Sequence, residues 1–251
     1  MLTPEQLAGL EPDRVFDGGA LDCGSGLVLL IRENMLPVPD AGVLEIRSVE
    51  RSVRDDLPPW CRMVGHEFLG ALPGASPEQA RYFVRRGGGA AMQQEAAALE
   101  QDKQRARDYQ WRLRARSSAP LETSVYCRNF QWRIGQPASF EEQDANPSAI
   151  ESLVGALAGD LVTGFAVAAS RAGLQVDDIE LTARARLHDV TAHLGLVEGD
   201  PSIESIEARL FASTFDDEAR VRAVWDQTVR RSPLAATLRK ATRLHITLAI
   251  V

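Results

Sequence analysis

Apolar residues in the first third of the chain fall into short runs divided by turn residues, and the runs carry two periods. VFDGG (15–19) and AGVLEIRSV (41–49) are strand-like, the latter through Val43, Leu44, Ile46 and Val49. Between them LVLLIRENM (27–35) is a compact apolar helix. A second helix is predicted from Ser52, a candidate N-cap, with a stripe of Val53, Leu57, Trp60/Cys61 and Val64, and Gly65 stops it. HEFLGAL (66–72) and ARYFVRR (80–86) are strands. The order βαβαββ predicts a two-layer sandwich, two helices on one face of a four-stranded sheet.

Gly87-Gly88-Gly89 marks a boundary. The Ala-, Gln- and Glu-rich stretch after it predicts a connecting helix over 88–108, with a flexible tether as the alternative. Alternation in QWRLRARS (110–117), TSVYCRN (123–129) and FQWRIGQ (130–136) predicts antiparallel strands. Asn146-Pro147-Ser148 then opens a long apolar helix, with Pro147 in its first turn and Gly173 at its end. Strands at IELTARARLHDV (179–190) and IESIEARLFAS (203–213) follow. Next come a helix after Thr214, a short helix after Pro233 and a last strand at RLHITLAIV (243–251). The fold class is α+β throughout, the second part being a long central helix against an antiparallel sheet. The expected division is 1–87, a linker at 88–108, and 109–251.

Composition is that of an ordinary globular protein, 45% apolar and 25% charged. A net charge of −7 argues against nucleic acid or an anionic membrane surface as partner. The amino-terminal residues have neither the basic flank nor the apolar core of a secretory signal. Ala149 to Ala169 is the most apolar long window, but it carries Glu151 and Asp160, which favours a buried core helix over a membrane span. Three cysteines, Cys23, Cys61 and Cys127, are too few and too scattered for a disulfide framework, and the expected setting is the reducing cytoplasm. His188 and His193 have poor ligand spacing, so neither a metal nor a cofactor is expected.

Asp17-Gly18-Gly19-Ala20-Leu21-Asp22-Cys23-Gly24-Ser25-Gly26-Leu27 precedes the first helix. It resembles the TusA/SirA sulfur-carrier family, in which a strand feeds a D-x-x-G-L-x-C-P-x-P segment. Residues 52–61 with Gly65-His66-Glu67 resemble that family's second helix and following turn, so the likeness covers about residues 14–87. It implies that Cys23 is the thiol that carries a persulfide. A thiolate at a helix start gains from unpaired amides and the positive dipole end. The helix-start residues Asp22, Gly24, Ser25 and Gly26 tune that setting: Asp22 opposes thiolate formation, and glycines stand where the family has prolines. Cys61, on an apolar stripe, and Cys127, within a strand, are expected to be structural.

From Trp111 onward the element order resembles the OsmC/Ohr family, dimeric thiol peroxidases of organic hydroperoxides. The likeness rests on Asn146-Pro147, the helix from Glu151 to Leu161, Gly173 to Ile179, and Arg231-Ser232-Pro233-Leu234. Asp160 and Ser232 stand where that family has its peroxidatic and resolving cysteines, and Glu151 falls near its helix glutamate. Neither side chain supports a thiol cycle. Asp160 and Ser232 are expected either to plug the vacated site, paired with each other or with an arginine, or to line a repurposed ligand pocket. The resemblance also implies a homodimer, since that family builds its pocket across two subunits. Three functions remain: a sulfur carrier with protein donors or acceptors, a binding or regulatory protein with both domains inactive, and a peroxidase using Cys23 or Cys127.

Overall fold

The computed structural model describes residues 2–22, 26–137 and 146–251, with the side chains of residues 90–92 set aside. The chain forms two compact units, Met1–Tyr109 with Ser170–Ala172, and Gln110–Ala169 with Gly173–Val251.

In the first unit, strands β1 (Arg14–Asp17), β2 (Val43–Ser48), β3 (Glu67–Pro73) and β4 (Ala80–Arg85) form one sheet in the order β1-β2-β4-β3. β1 runs parallel to β2, while β2–β4 and β4–β3 are antiparallel. Helices α2 (Val28–Met35) and α3 (Val53–Val64) lie on one face. There Leu27, Ile31 and Met35, at a spacing of four, meet Leu44 and Ile46 of β2 and Tyr82 and Val84 of β4. The α3 stripe of Val53, Leu57, Trp60 and Cys61 completes this core. It holds α3 together across Pro58 and Pro59, each of which removes an amide donor from the helix interior. Gly65 closes α3 in the left-handed region, φ 79°.

Ser52 occupies the predicted cap position but does not cap. Its backbone is already helical, and its Oγ is buried without a hydrogen-bond partner. The first turn of α3 instead carries Asp55 and Asp56, whose charge suits the positive helix end.

The opposite sheet face has two features absent from the hydrophobic pattern. A short helix α1 (Pro4–Ala8), closed by a Thr3–Gln6 capping box, seats Leu7 on Val43, Leu69 and Phe83. Beside it the Glu45 carboxylate, 1% exposed, takes ion pairs from Arg47 at 2.8 Å and Arg81 at 2.7 Å. Burial works to raise its pKa, but the hydrogen bonds from Arg81 and Arg47 outweigh it and hold the carboxyl below its usual value.

The stretch after the glycines is helical, α4 (Gly89–Arg107), and it packs on the first unit. Leu99 is buried, Arg32 bonds Glu95 at 3.1 Å and also reaches Asp102, and Lys103 pairs with Glu33 at 3.2 Å.

The second unit opens with an antiparallel meander of β5 (Arg114–Ala119), β6 (Glu122–Cys127) and β7 (Phe130–Ile134). Helix α5 (Ala149–Arg171) follows. Then come β8 (Asp178–Leu187), the short α6 (Val190–His193), β9 (Ile203–Ser213), α7 (Glu218–Arg231), α8 (Pro233–Leu238) and β10 (Arg243–Ile250). The sheet order is β10-β9-β8. It is mixed, not wholly antiparallel, because α7 and α8 carry the chain back so that β10 runs parallel to β9.

α5 is long and apolar enough to cross a membrane, and it is not the buried core helix expected: its i, i+4 stripe of Leu157, Leu161, Phe165 and Ala169 closes this unit's core, but only 22% of its most apolar stretch is buried. They meet Ile206 and Leu210 of β9 and Val221 and Trp225 of α7, with Phe165 and Trp225 edge-to-face at 5.8 Å. Pro147 stands outside the first turn of α5. Ser148 caps the helix, its Oγ accepting from the Glu151 amide at 3.2 Å while Glu151 Oε2 accepts the Ser148 amide at 2.6 Å.

Candidate functional site

The candidate carrier loop leaves the carboxyl end of β1 and enters α2. Its first half is tied down by hydrogen bonds. The Gly18 amide donates to Arg47 O at 2.8 Å, and the Gly19 amide to Asp17 Oδ1 at 2.7 Å. Gly19 O accepts from the Val49 amide at 3.1 Å and from Ser48 Oγ at 3.0 Å. Gln79 Nε2 donates to Asp17 Oδ2 at 3.1 Å. Burial pushes the Asp17 carboxyl up, against the Gly19 amide and Arg47, which draw it down. Asp17, Ser48 and Gln79 were not foreseen as site residues. The aspartate of the D-x-x-G-L pattern was the available signal for one of them.

Cys23, Gly24 and Ser25 lie outside the described residues. Their flanks are described. Asp22 is exposed, and its carbonyl accepts the Leu27 amide at 3.2 Å. Gly26 has φ +105°, where a proline, fixed near about −65°, cannot follow. The glycine in place of the family's second proline is therefore required by this backbone. Leu27, which precedes Val28, is already helical in its backbone, and among the described residues no side chain caps α2.

The other two cysteines sit differently. Cys61 is fully buried, and desolvation pushes its thiol up to about 12. Cys127 is half-buried in β6, opposite Phe130.

In the second unit the structure brings Asp160 and Ser232 together. Ser232, 4% exposed, joins α7 to α8. Its Oγ donates to Asp160 Oδ2 at 2.5 Å and accepts from the Ala235 amide at 2.9 Å, which caps α8. The hydroxyl thus uses its proton and a lone pair at once. Glu151 is not part of this pair. It lies nine residues earlier on α5, about 13 Å along the axis and half a rotation away, and it serves the helix cap.

The family model for OsmC-like protein matches residues 142–247. Sulfur carrier protein TusA of Pseudomonas putida (strain GB-1) is 31% identical over 58 residues, 23% of this chain and 71% of the relative. Putative sulfur carrier protein YrkF of Bacillus subtilis (strain 168) is 34% identical over 74 residues. That alignment covers 30% of this chain and only 38% of the YrkF chain. Among solved structures, an OsmC like protein from Mycoplasma pneumoniae superposes with a TM-score of 0.49 at 12% identity, over 57% of this chain and 99% of that one. Through its N-terminal region the chain belongs to the TusA sulfur-carrier family, and it is a fusion of that carrier domain with an OsmC-like domain at its C-terminal end.

Proposed function

We propose that the protein carries sulfane sulfur on Cys23 in the cytoplasm, and that its OsmC-like unit is a dimerisation or ligand-binding platform without thiol-peroxidase chemistry. The observation that carries the reading is the segment Asp17–Gly19 after β1, fixed by hydrogen bonds with Arg47, Ser48, Val49 and Gln79 and ending four residues before Cys23. Loading is redox-neutral. The Cys23 thiolate attacks the outer sulfur of a persulfide R–S–SH, the S–S bond of the donor breaks, and R–S⁻ leaves with the electron pair. Delivery to an acceptor thiolate is the same exchange in reverse. A helix start that favours the thiolate promotes loading, and it makes Cys23 a better leaving group on delivery.

Exposed apolar side chains support a homodimer through the second unit. Trp111, Leu113, Phe130 and Trp132, on and just before the meander, are all 40% exposed or more. The satisfied Asp160–Ser232 pair favours loss of peroxidase chemistry there, since both atoms are already engaged. In the alternative reading both units are inactive binding modules, which the glycine-built helix start favours.

Incubation of the full chain with a persulfide donor, followed by intact mass measurement, tests the carrier reading. The expected result is a gain of one sulfur atom that is absent from Cys23→Ser. No gain, or the same gain on the variant, refutes it. Light scattering should give twice the chain mass, and a monomer would refute the dimer.

A further inference from the structure

A cleft of about 540 Å³ opens in the first unit between the start of α3 and the β3–β4 turn. That volume lies in the range of small-molecule sites, roughly 300–1,000 Å³. Ser48, Gln79 and Tyr82 line it, and two of these are the residues that hold the carrier loop: Ser48 Oγ on Gly19 O and Gln79 Nε2 on Asp17. The cleft wall is thus hydrogen-bonded to the segment ending four residues before Cys23.

Its charges are of both signs. Arg51, Arg54 and Asp55 come from the start of α3, and Glu78 from the β3–β4 turn. Among the described residues none of these four is in an ion pair within 4 Å, although other surface charges of this unit are widely paired. Glu50, also in the lining, is occupied by the Ser52 amide at 3.0 Å. Tyr82 is 2% exposed, with Arg54 and Asp55 within electrostatic reach of its phenol.

We infer that this cleft binds a zwitterionic low-molecular-weight thiol, an amino-acid or short-peptide persulfide, with its carboxylates on Arg51 and Arg54 and its ammonium on Asp55 and Glu78. An inorganic anion would leave the two acids unmatched, and a purely cationic ligand would leave the arginines so. The inference rests on the carrier reading of Cys23 and deepens it, making the cleft the place where R–S–SH is held while its outer sulfur passes to the thiolate.

The probe is reduced glutathione, a peptide thiol with two carboxylates and one ammonium, titrated calorimetrically into the full-length Cys23→Ser protein. Saturable binding is expected. It should weaken about tenfold when Arg51→Ala and Arg54→Ala are combined, and again with Glu78→Gln. All three side chains are exposed, so circular dichroism and the melting temperature should be unchanged. Absence of saturable binding, binding indifferent to these variants, or equal competition by thiosulfate overturns the inference. Glutathione binding without sulfur transfer to wild-type Cys23 from either glutathione persulfide or a protein persulfide donor would leave the cleft standing and sink the carrier. Sulfur loading from a protein donor without glutathione binding would do the reverse.

Discussion

Removing the Ser232 hydroxyl should cost the second unit more than removing the carboxylate it bonds. In Ser232→Ala the α8 cap is lost, worth about 0.5–2 kcal/mol. The bond to Asp160 goes too, at about 1.5–3 kcal/mol for a charged acceptor, and the half-buried carboxylate is left without this donor. The expected total is about 2–5 kcal/mol. Asp160→Ala loses the same bond but keeps the cap, and its expected cost is about 1.5–3 kcal/mol. The double variant should fall short of additivity by about 1.5–3 kcal/mol, because the shared bond is counted only once. Denaturant unfolding followed by fluorescence reads this directly, since Trp225 is 4% exposed in the same core. A coupling below about 0.3 kcal/mol would refute the argument. The pair would then be two unconnected polar side chains, and a ligand pocket at this place would regain its appeal.

Other perturbations test other parts of the molecule. Gly26→Pro forces φ from +105° and should destabilise the first unit by about 3 kcal/mol, lowering its thermal midpoint, and an unchanged midpoint would refute the loop geometry. Cys61 should stay unmodified at pH 7.5 under iodoacetamide conditions that label exposed thiols, as peptide mass mapping would show, because its buried thiol is pushed up to about 12. Arg81→Ala should cost about 2 kcal/mol by stripping one partner from Glu45, the exposed Arg47 making up part of the loss. Glu45 has a lowered folded pKa, so its contribution is present above about pH 4.5 and disappears as pH falls through the folded value. His66, buried with Nδ1 accepting the Gly87 amide at 3.0 Å, is also held below its usual pKa, by burial and then by Arg86. Its share of stability is full above the unfolded pKa of about 6.5 and declines below it, so His66→Gln should flatten the melting profile between about pH 7 and 5.

Periodic elements were legible in the residues, and contacts between distant polar groups were not. AGVLEIRSV shows a strand because burial selects its apolar positions, but nothing local says that Glu45 points into a dry face with Arg81 as its partner. α1 was within reach of sequence reasoning, since Thr3-Pro4-Glu5-Gln6 carries a capping box with proline at N1. It is only five residues long and shows no period. Ser52 has the right identity for a cap, but the turn before it is already helical, which turns its hydroxyl away from the role. Pro147 was placed one step too far into its helix because Ser148 and Glu151, three apart, form the actual start. The linker's helical composition was plain, whereas its packing on the first unit depends on Arg32, Glu95 and Lys103, whose pairing no spacing rule supplies. At the candidate site, Asp160 and Ser232 are 72 residues apart, so their bond could be anticipated only through a fold already in mind.

The backbone at Gly26 also sets a direction on sequence change. With φ at +105° and the Asp22 carbonyl bonded to the Leu27 amide, a proline at 26 is reachable only if the whole turn is rebuilt at the same time. A single substitution toward a proline-flanked helix start carries a stability cost of about 3 kcal/mol before sulfur chemistry is ever tested. Variation here should therefore stay among residues that accept a positive φ, chiefly glycine and less readily asparagine. Chains of this kind would form a lineage separated from proline-bearing carriers by backbone geometry, whatever chemistry the two share.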